Sequence, residues 1–228
     1  MKKSFYILIT FLTVCTFTAC TPANETPKST PTSKVTKASG NKEGAKTAPT
    51  VNTIEATYGV DVNSYPDLVG AADYVFVGEV KEELATAYQA TSGPTTIPYS
   101  RYMVQVTENL KGQLDMAKPI QIKKHGGLSE DQQIYHLLEN DLLPEVGKSY
   151  IFVIYAQADG TNLASGANST IPLEDSNSAI STRSTEAIEI FTSSEEEIIA
   201  TFRDACQHQV LLPEGEQSIY HSADEVSP

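Results

Sequence analysis

The sequence predicts a mainly β fold (minor α+β content): a five-stranded Greek-key barrel of the OB type with one inserted helix, followed by a C-terminal helix. Three observations lead there. Apolar residues alternate with period two in "DYVFVGEV" and "YSRYMVQVTENLKG"; the run from Tyr150 to Tyr155 is almost uniformly apolar; and a helical stripe separates three candidate strands from two more.

Each element has its own signal. After Pro66, "DLVGAA" reads as a short helical piece. In the following strand Tyr74, Phe76, Gly78 and Val80 share one side, and Gly78 marks a bulge or bend. The loop "TSGPTTIP" leads to a second strand in which Tyr102, Val104 and Val106 alternate with Arg101, Met103, Gln105 and Thr107, so the two runs pair as an antiparallel hairpin. Lys111-Gly112 ends it, and "KPIQIKKHGG" supplies a third strand through Ile120 and Ile122. Ser129 followed by Gln132 has the capping-box spacing, and Ile134, Leu137 and Leu138 form a helical stripe, which predicts the inserted helix. Pro144 and Gly147 then break the chain before Tyr150 to Tyr155, a strand expected to be buried on both faces. Asp159-Gly160 turns the chain into a fifth strand within "TNLASGANSTIPL". Further on, Ala187, Ile188 and Ile190 alternate weakly. Ser194 and Glu197 then cap a helix whose Ile198, Ile199, Phe202 and Cys206 share a face, with Cys206 read as a packed residue.

The two ends differ from this domain. Lys2 and Lys3 precede an apolar stretch from Phe5 to Val14 and small residues up to Cys20, the pattern of a secretory signal over residues 1–19. The stretch is too short for a comfortable span, which needs about 20 apolar residues. Phe17-Thr18-Ala19-Cys20 resembles a bacterial lipobox, with Phe17 in place of the usual Leu. The resemblance implies cleavage before Cys20 and lipidation of its thiol, giving a protein held on the extracytoplasmic face of the cell membrane; diacylglycerol or palmitate chains stabilise attachment by about 0.8 kcal/mol per buried CH2. The alternative is an ordinary secretion signal or a short anchor. Residues 20–50, rich in Thr, Pro, Ser and Lys, bury too little apolar surface to offset chain entropy and read as a disordered tether. Residues 51–212 form the acidic domain, and residues 213–228 read as a loose acidic tail.

Charge is split along the chain. The whole sequence of 228 residues carries −13; seven lysines against Glu25 and Glu43 leave residues 1–50 at +5, so the remainder carries −18. That repels phosphate backbones and argues against nucleic acid as a partner. Two of the three cysteines lie in the signal region, which leaves Cys206 without a disulfide partner in the domain.

"AADYVFVGEV", "YMVQVTENLKG" and "LLPEVGKSYIFVIY" resemble the netrin-like module of metalloproteinase inhibitors and complement C-terminal domains, and still more a group of uncharacterised lipoproteins of Gram-positive bacteria. The resemblance covers residues 67–173 and implies an OB-type barrel. It does not carry inhibition over: that chemistry needs a free N-terminal cysteine locked to the barrel by disulfides, and Cys20 is here separated from the barrel by the tether.

No constellation for catalysis stands out. The four histidines have no zinc-site spacing, "ASGANST" offers no nucleophile elbow, "HGGLSED" lacks the phosphate-loop lysine, and "EDQQ", "LED" and "SEEE" do not match a calcium loop. No catalytic residue, metal or cofactor is therefore assigned. The reading is a non-catalytic binding module with an unidentified protein or small ligand as partner. OB-type barrels bind on the face of their second and third strands, which here offers Tyr102, Val104, Gln105, Lys123 and His125. The alternatives are a hydrolytic or metal-dependent envelope enzyme whose site is assembled from scattered residues such as His125, Glu130, Asp131 and His136, or an envelope sensor or accessory protein acting through a partner.

Overall fold

The computed structural model describes residues 48–93, 95–173 and 194–226. These residues are mainly β, with eight strands and two helices: β1 (Thr50–Ile54), α1 (Tyr65–Ala71), β2 (Tyr74–Ala90), β3 (Thr96–Lys111), β4 (Ile120–Leu128), β5 (Ile134–Leu138), β6 (Ser149–Ala156), β7 (Asn162–Leu163), β8 (Thr170–Pro172) and α2 (Glu195–Gln207). The weak alternation at 187–190 lies outside the described residues.

All eight strands belong to one sheet, with neighbours in the order β1-β5-β4-β3-β2-β6-β7 and β8 added against β6. A two-residue parallel pairing, Ile122 with Asn162 and Lys123 with Leu163, also joins β7 back to β4. β2 and β3 form the long antiparallel hairpin that the alternation predicts, from Val75 opposite Lys111 to Ala90 opposite Thr96. Its register shifts at Val77/Gly78. A Cβ on Gly78 would stand 2.6 Å from Val104 Cγ1 and 2.9 Å from Phe76 Cε2, so these core side chains pack into the space that a larger residue would occupy.

The pleat sorts β2 and β6 into two cores. Tyr74, Phe76, Tyr150, Phe152 and Ile154 face inward with Tyr102, Val104, Ile120 and Ile122. Val75, Val77, Ile151 and Val153 face the other way, against Leu68 and Val69 of α1, Ile171 of β8, and Ile198, Ile199 and Phe202 of α2. That second layer explains why Tyr150 to Tyr155 lacks alternation: both faces are covered. Each such side chain contributes about 1.5–3 kcal/mol on burial.

The helices form for local reasons. Pro66 sits in the first turn of α1, where a missing N–H costs nothing. In α2, Ser194 Oγ accepts from Glu197 N while Glu197 Oε2 accepts from Ser194 N, a complete capping box. Tyr65 and Phe202 pack at 4.5 Å between ring centroids and join the two helices, and Cys206 is half-buried beside them, its thiol pushed up by burial.

Three expectations are corrected. The inserted helix is absent: residues 134–138 form β5, paired in parallel with β1 and antiparallel with β4. Ser129 caps a turn instead of a helix, its Oγ accepting from Gln133 N at 3.3 Å and Ile134 N at 3.0 Å, with Gln132 at φ 59°. The expected fifth strand is divided into β7 and β8, and the sheet has eight strands where five were expected. Within the expected loose tail, residues 224–226 are tied to the domain, whereas residues 213–221 are exposed. Val226 N donates to Gln113 O at 2.8 Å, and Asp115 N donates to Asp224 O at 2.9 Å. Among the described residues no helix is long and apolar enough to cross a membrane.

Candidate functional site

The parity of β3 and β4 decides which of the expected ligand-face residues reach solvent. Even-numbered positions from Ser100 to Val106 and from Ile120 to Lys124 are buried, and the odd ones between them are partly exposed. Tyr102 and Val104 are therefore core residues, not ligand-face residues. Gln105, Lys123 and His125 lie on the outer face.

Two of those three form a cluster with Tyr99 near the start of β3. The Tyr99 and His125 rings stack with centroids 5.1 Å apart, and Lys123 Nζ stands 4.5 Å from the Tyr99 centroid. The stacking and the cation over the ring each contribute about 0.5–1 kcal/mol or more. Arg101, opposite Lys123 in the β3/β4 pairing, is fixed by its Nε donating to Ala85 O at 2.9 Å. This is a basic, aromatic strip on an acidic domain. Burial lowers the pKa of His125; Lys124 and His136 lower it further, and Asp141 opposes them. Gln105 is apart from the strip, its amide donating to Met116 O at 2.8 Å.

Among the residues of the enzymatic alternative, His136 lies close enough to His125 and to Asp131 to influence both electrostatically, but no hydrogen bond or ion pair links these side chains to one another among the described residues. His136 on β5 lies beside Asn52 of β1, Nδ1 to Nδ2 3.3 Å. Asp131 is engaged in the Ser129 turn, where the Ser129 hydroxyl and the Gln133 N–H hold its carboxyl below the usual range. Among the described residues no group of three or more His, Cys, Asp or Glu could hold a metal ion.

Beneath the strip lies a charge that the sequence reading did not single out. Lys124 Nζ donates to Asp141 Oδ1 at 2.8 Å, Thr170 Oγ1 at 3.0 Å and Ser169 Oγ at 3.2 Å. Asp141 also accepts from Leu142 N and Gly166 N. The signal was present in the parity of "IQIKK", since Lys124 follows Ile120 and Ile122 on the inward face.

A cleft of about 710 Å³ opens elsewhere, between residues 57–62, the end of β6 and residues 212–220. Tyr58, Tyr155 and Tyr220 line it with Asp73 and Glu216, and the lining contains no Lys, Arg or His among the described residues. Tyr58 is positioned by Ala167 N, which donates to its hydroxyl at 3.0 Å, and by Gly166, where a Cβ would stand 2.5 Å from the ring.

Compared with known protein families and with curated proteins, the sequence matches no family model and no relative.

Proposed function

We propose that this chain is a lipid-anchored, extracytoplasmic lipoprotein that presents a non-catalytic binding module, with Cys20 as the lipidated residue; the signal and most of the tether read from the sequence, residues 1–47, lie outside the described residues. The Phe17–Cys20 lipobox resemblance, the preceding basic and apolar segments, and the Thr-, Pro-, Ser- and Lys-rich residues 21–50 that follow support the anchor. The finer fold reading is an OB-type Greek-key barrel made by β2, β3, β4, β7 and β6. The β4–β7 pairing that returns the strand path to β4 supports it, as does the netrin-like resemblance of residues 67–173.

The observation that carries the binding reading is the stack of Tyr99 and His125 beneath Lys123, on the outer face of the second and third strands of that ring. An aromatic surface with a fixed cation recognises a partner that is both planar or apolar and acidic. A protein or small ligand of that chemistry is the expected partner, and nucleic acid is disfavoured by the −18 carried by residues 51–228.

Two measurements test this. Cys20→Ser should leave unprocessed precursor or release the protein from membranes; a variant processed and retained as before would rule out the anchor. Proximity crosslinking on intact cells should capture a reproducible protein partner that is lost from Tyr99→Ala and Lys123→Ala variants of unchanged stability. Capture that is indifferent to both substitutions would remove this face from the proposal.

A further inference from the structure

We propose that the cleft lined by Tyr58, Tyr155 and Tyr220 binds an organic cation, a substituted ammonium whose charge faces Asp73 and whose apolar body lies against the tyrosine rings. This site is separate from the β3/β4 strip and does not depend on the anchor.

Size is the first argument. About 710 Å³ lies within the range of small-molecule sites, roughly 300–1,000 Å³. Electrostatics is the second. Among the described residues, two carboxylates, Asp73 and Glu216, line the cleft and no basic residue does, so the lining disfavours an anion. The third is the aromatic content: tyrosine rings attract a cation through their faces, and a cage of them suits an ammonium whose hydration is weak.

Preorganisation completes the case. Asp73 Oδ2 accepts from Ala156 N at 2.7 Å, and Asp73 N donates to Ile154 O at 2.9 Å, so the carboxylate is fixed at the end of β6 before any ligand arrives. Its Oδ1 has no hydrogen-bond partner among the described residues. Lys111 is close enough to interact with Asp73, yet it lies outside the cleft, with its ammonium donating to Val69 O at 2.7 Å. Tyr155 is pushed up to about 12 by burial, and by Tyr58 and Asp73, which places the three groups together electrostatically. Val60, Val62, Leu212 and Ile219 make the rest of the wall largely apolar.

The test is calorimetric titration of the full chain with choline and phenyltrimethylammonium against 3,3-dimethylbutan-1-ol, the neutral isostere of choline. The cations should bind about tenfold more tightly than the neutral compound or better, the equivalent of one cation–π contact together with a carboxylate. Asp73→Asn, which retains an acceptor for Ala156 N, should abolish that preference. Tyr220→Ala, at an exposed rim position, should weaken both cations without altering the melting temperature. Equal affinity for the neutral isostere, no saturable binding at millimolar cation, or binding indifferent to the substitutions would overturn the proposal. Should Asp73→Asn fail to fold, Tyr220→Ala and Glu216→Gln decide the question alone.

Discussion

Lys124 and Asp141 form an ion pair of 2.8 Å inside the domain, with their side chains 0% and 2% exposed. The pair connects β4 to the loop after β5, and through Ser169, Thr170 and Gly166 to β8 and the segment before it. A charge removed from water is tolerated only when its hydrogen-bonding capacity is used, and here the ammonium has three oxygen acceptors.

The first prediction follows from that closure. Lys124→Met leaves a buried carboxylate, and Asp141→Asn leaves a buried ammonium with a weaker acceptor. Each should cost about 3–5 kcal/mol, because breaking one side of a buried pair strands the other. The double variant should cost less than the sum of the two. Urea denaturation through a double-mutant cycle measures this, and additive costs would show that the pair is not coupled.

The second concerns the crossing of α1 by the chain that leaves α2. A Cβ on Gly70 would lie 1.9 Å from Val210 O, and Val210 N donates to Pro66 O at 3.0 Å. Gly70→Ala normally favours a helix. Here it should destabilise the domain by about 1–3 kcal/mol, since the obstacle is backbone. A raised melting temperature in Gly70→Ala would contradict this close approach.

The strands with a covered face were legible because alternation records burial: β3 and β4 show it, and β6 and the first part of β2 show its loss where both faces are covered. β5 was not, because Ile134, Leu137 and Leu138 satisfy a helical spacing within five residues, and pairing with β1 and β4 on either side decides the matter. β1 itself carries no pattern, being almost wholly exposed and bound through its backbone. At the expected ligand face, alternation separated Tyr102 and Val104 from their neighbours without saying which set faced inward. The burial of Lys124 is legible in the parity of "IQIKK", but its partners Asp141, Ser169 and Thr170, like Tyr58 and Tyr220 of the cleft, are distant in sequence from one another, and no local pattern brings them together.

The third prediction is a pH dependence. Burial lowers the pKa of His125 from its ordinary 6.5, so the unfolded chain binds a proton that the folded one resists. The associated stability is complete above about pH 6.5, where the ring is neutral in both states, and is lost as pH falls from there through the folded value. His125→Gln should therefore flatten the decline in stability below pH 6.5. Denaturation midpoints at several pH values, compared between the two proteins, test the sign; a wild-type decline identical to that of the variant would exclude His125 as its source.

The fourth prediction concerns the C-terminal segment. Tyr74 lies at the start of β2, and its hydroxyl donates to Glu225 Oε2 at 2.9 Å while accepting from Ser222 N at 3.0 Å. Burial, with the Glu225 carboxylate adding to it, pushes this phenol up to about 12, so it remains a donor throughout the physiological range. Tyr74→Phe keeps the ring in the core and removes both bonds, at a cost of about 1–3 kcal/mol because a buried N–H and a carboxylate lose their partner. The loss should fall on the segment more than on the sheet: limited proteolysis should cut residues 213–226 faster in Tyr74→Phe, while the amides of β2 and β6 keep their exchange protection. Equal proteolysis in both proteins would mean that the backbone bonds from Asp115 and Val226 suffice to hold the segment without the phenol.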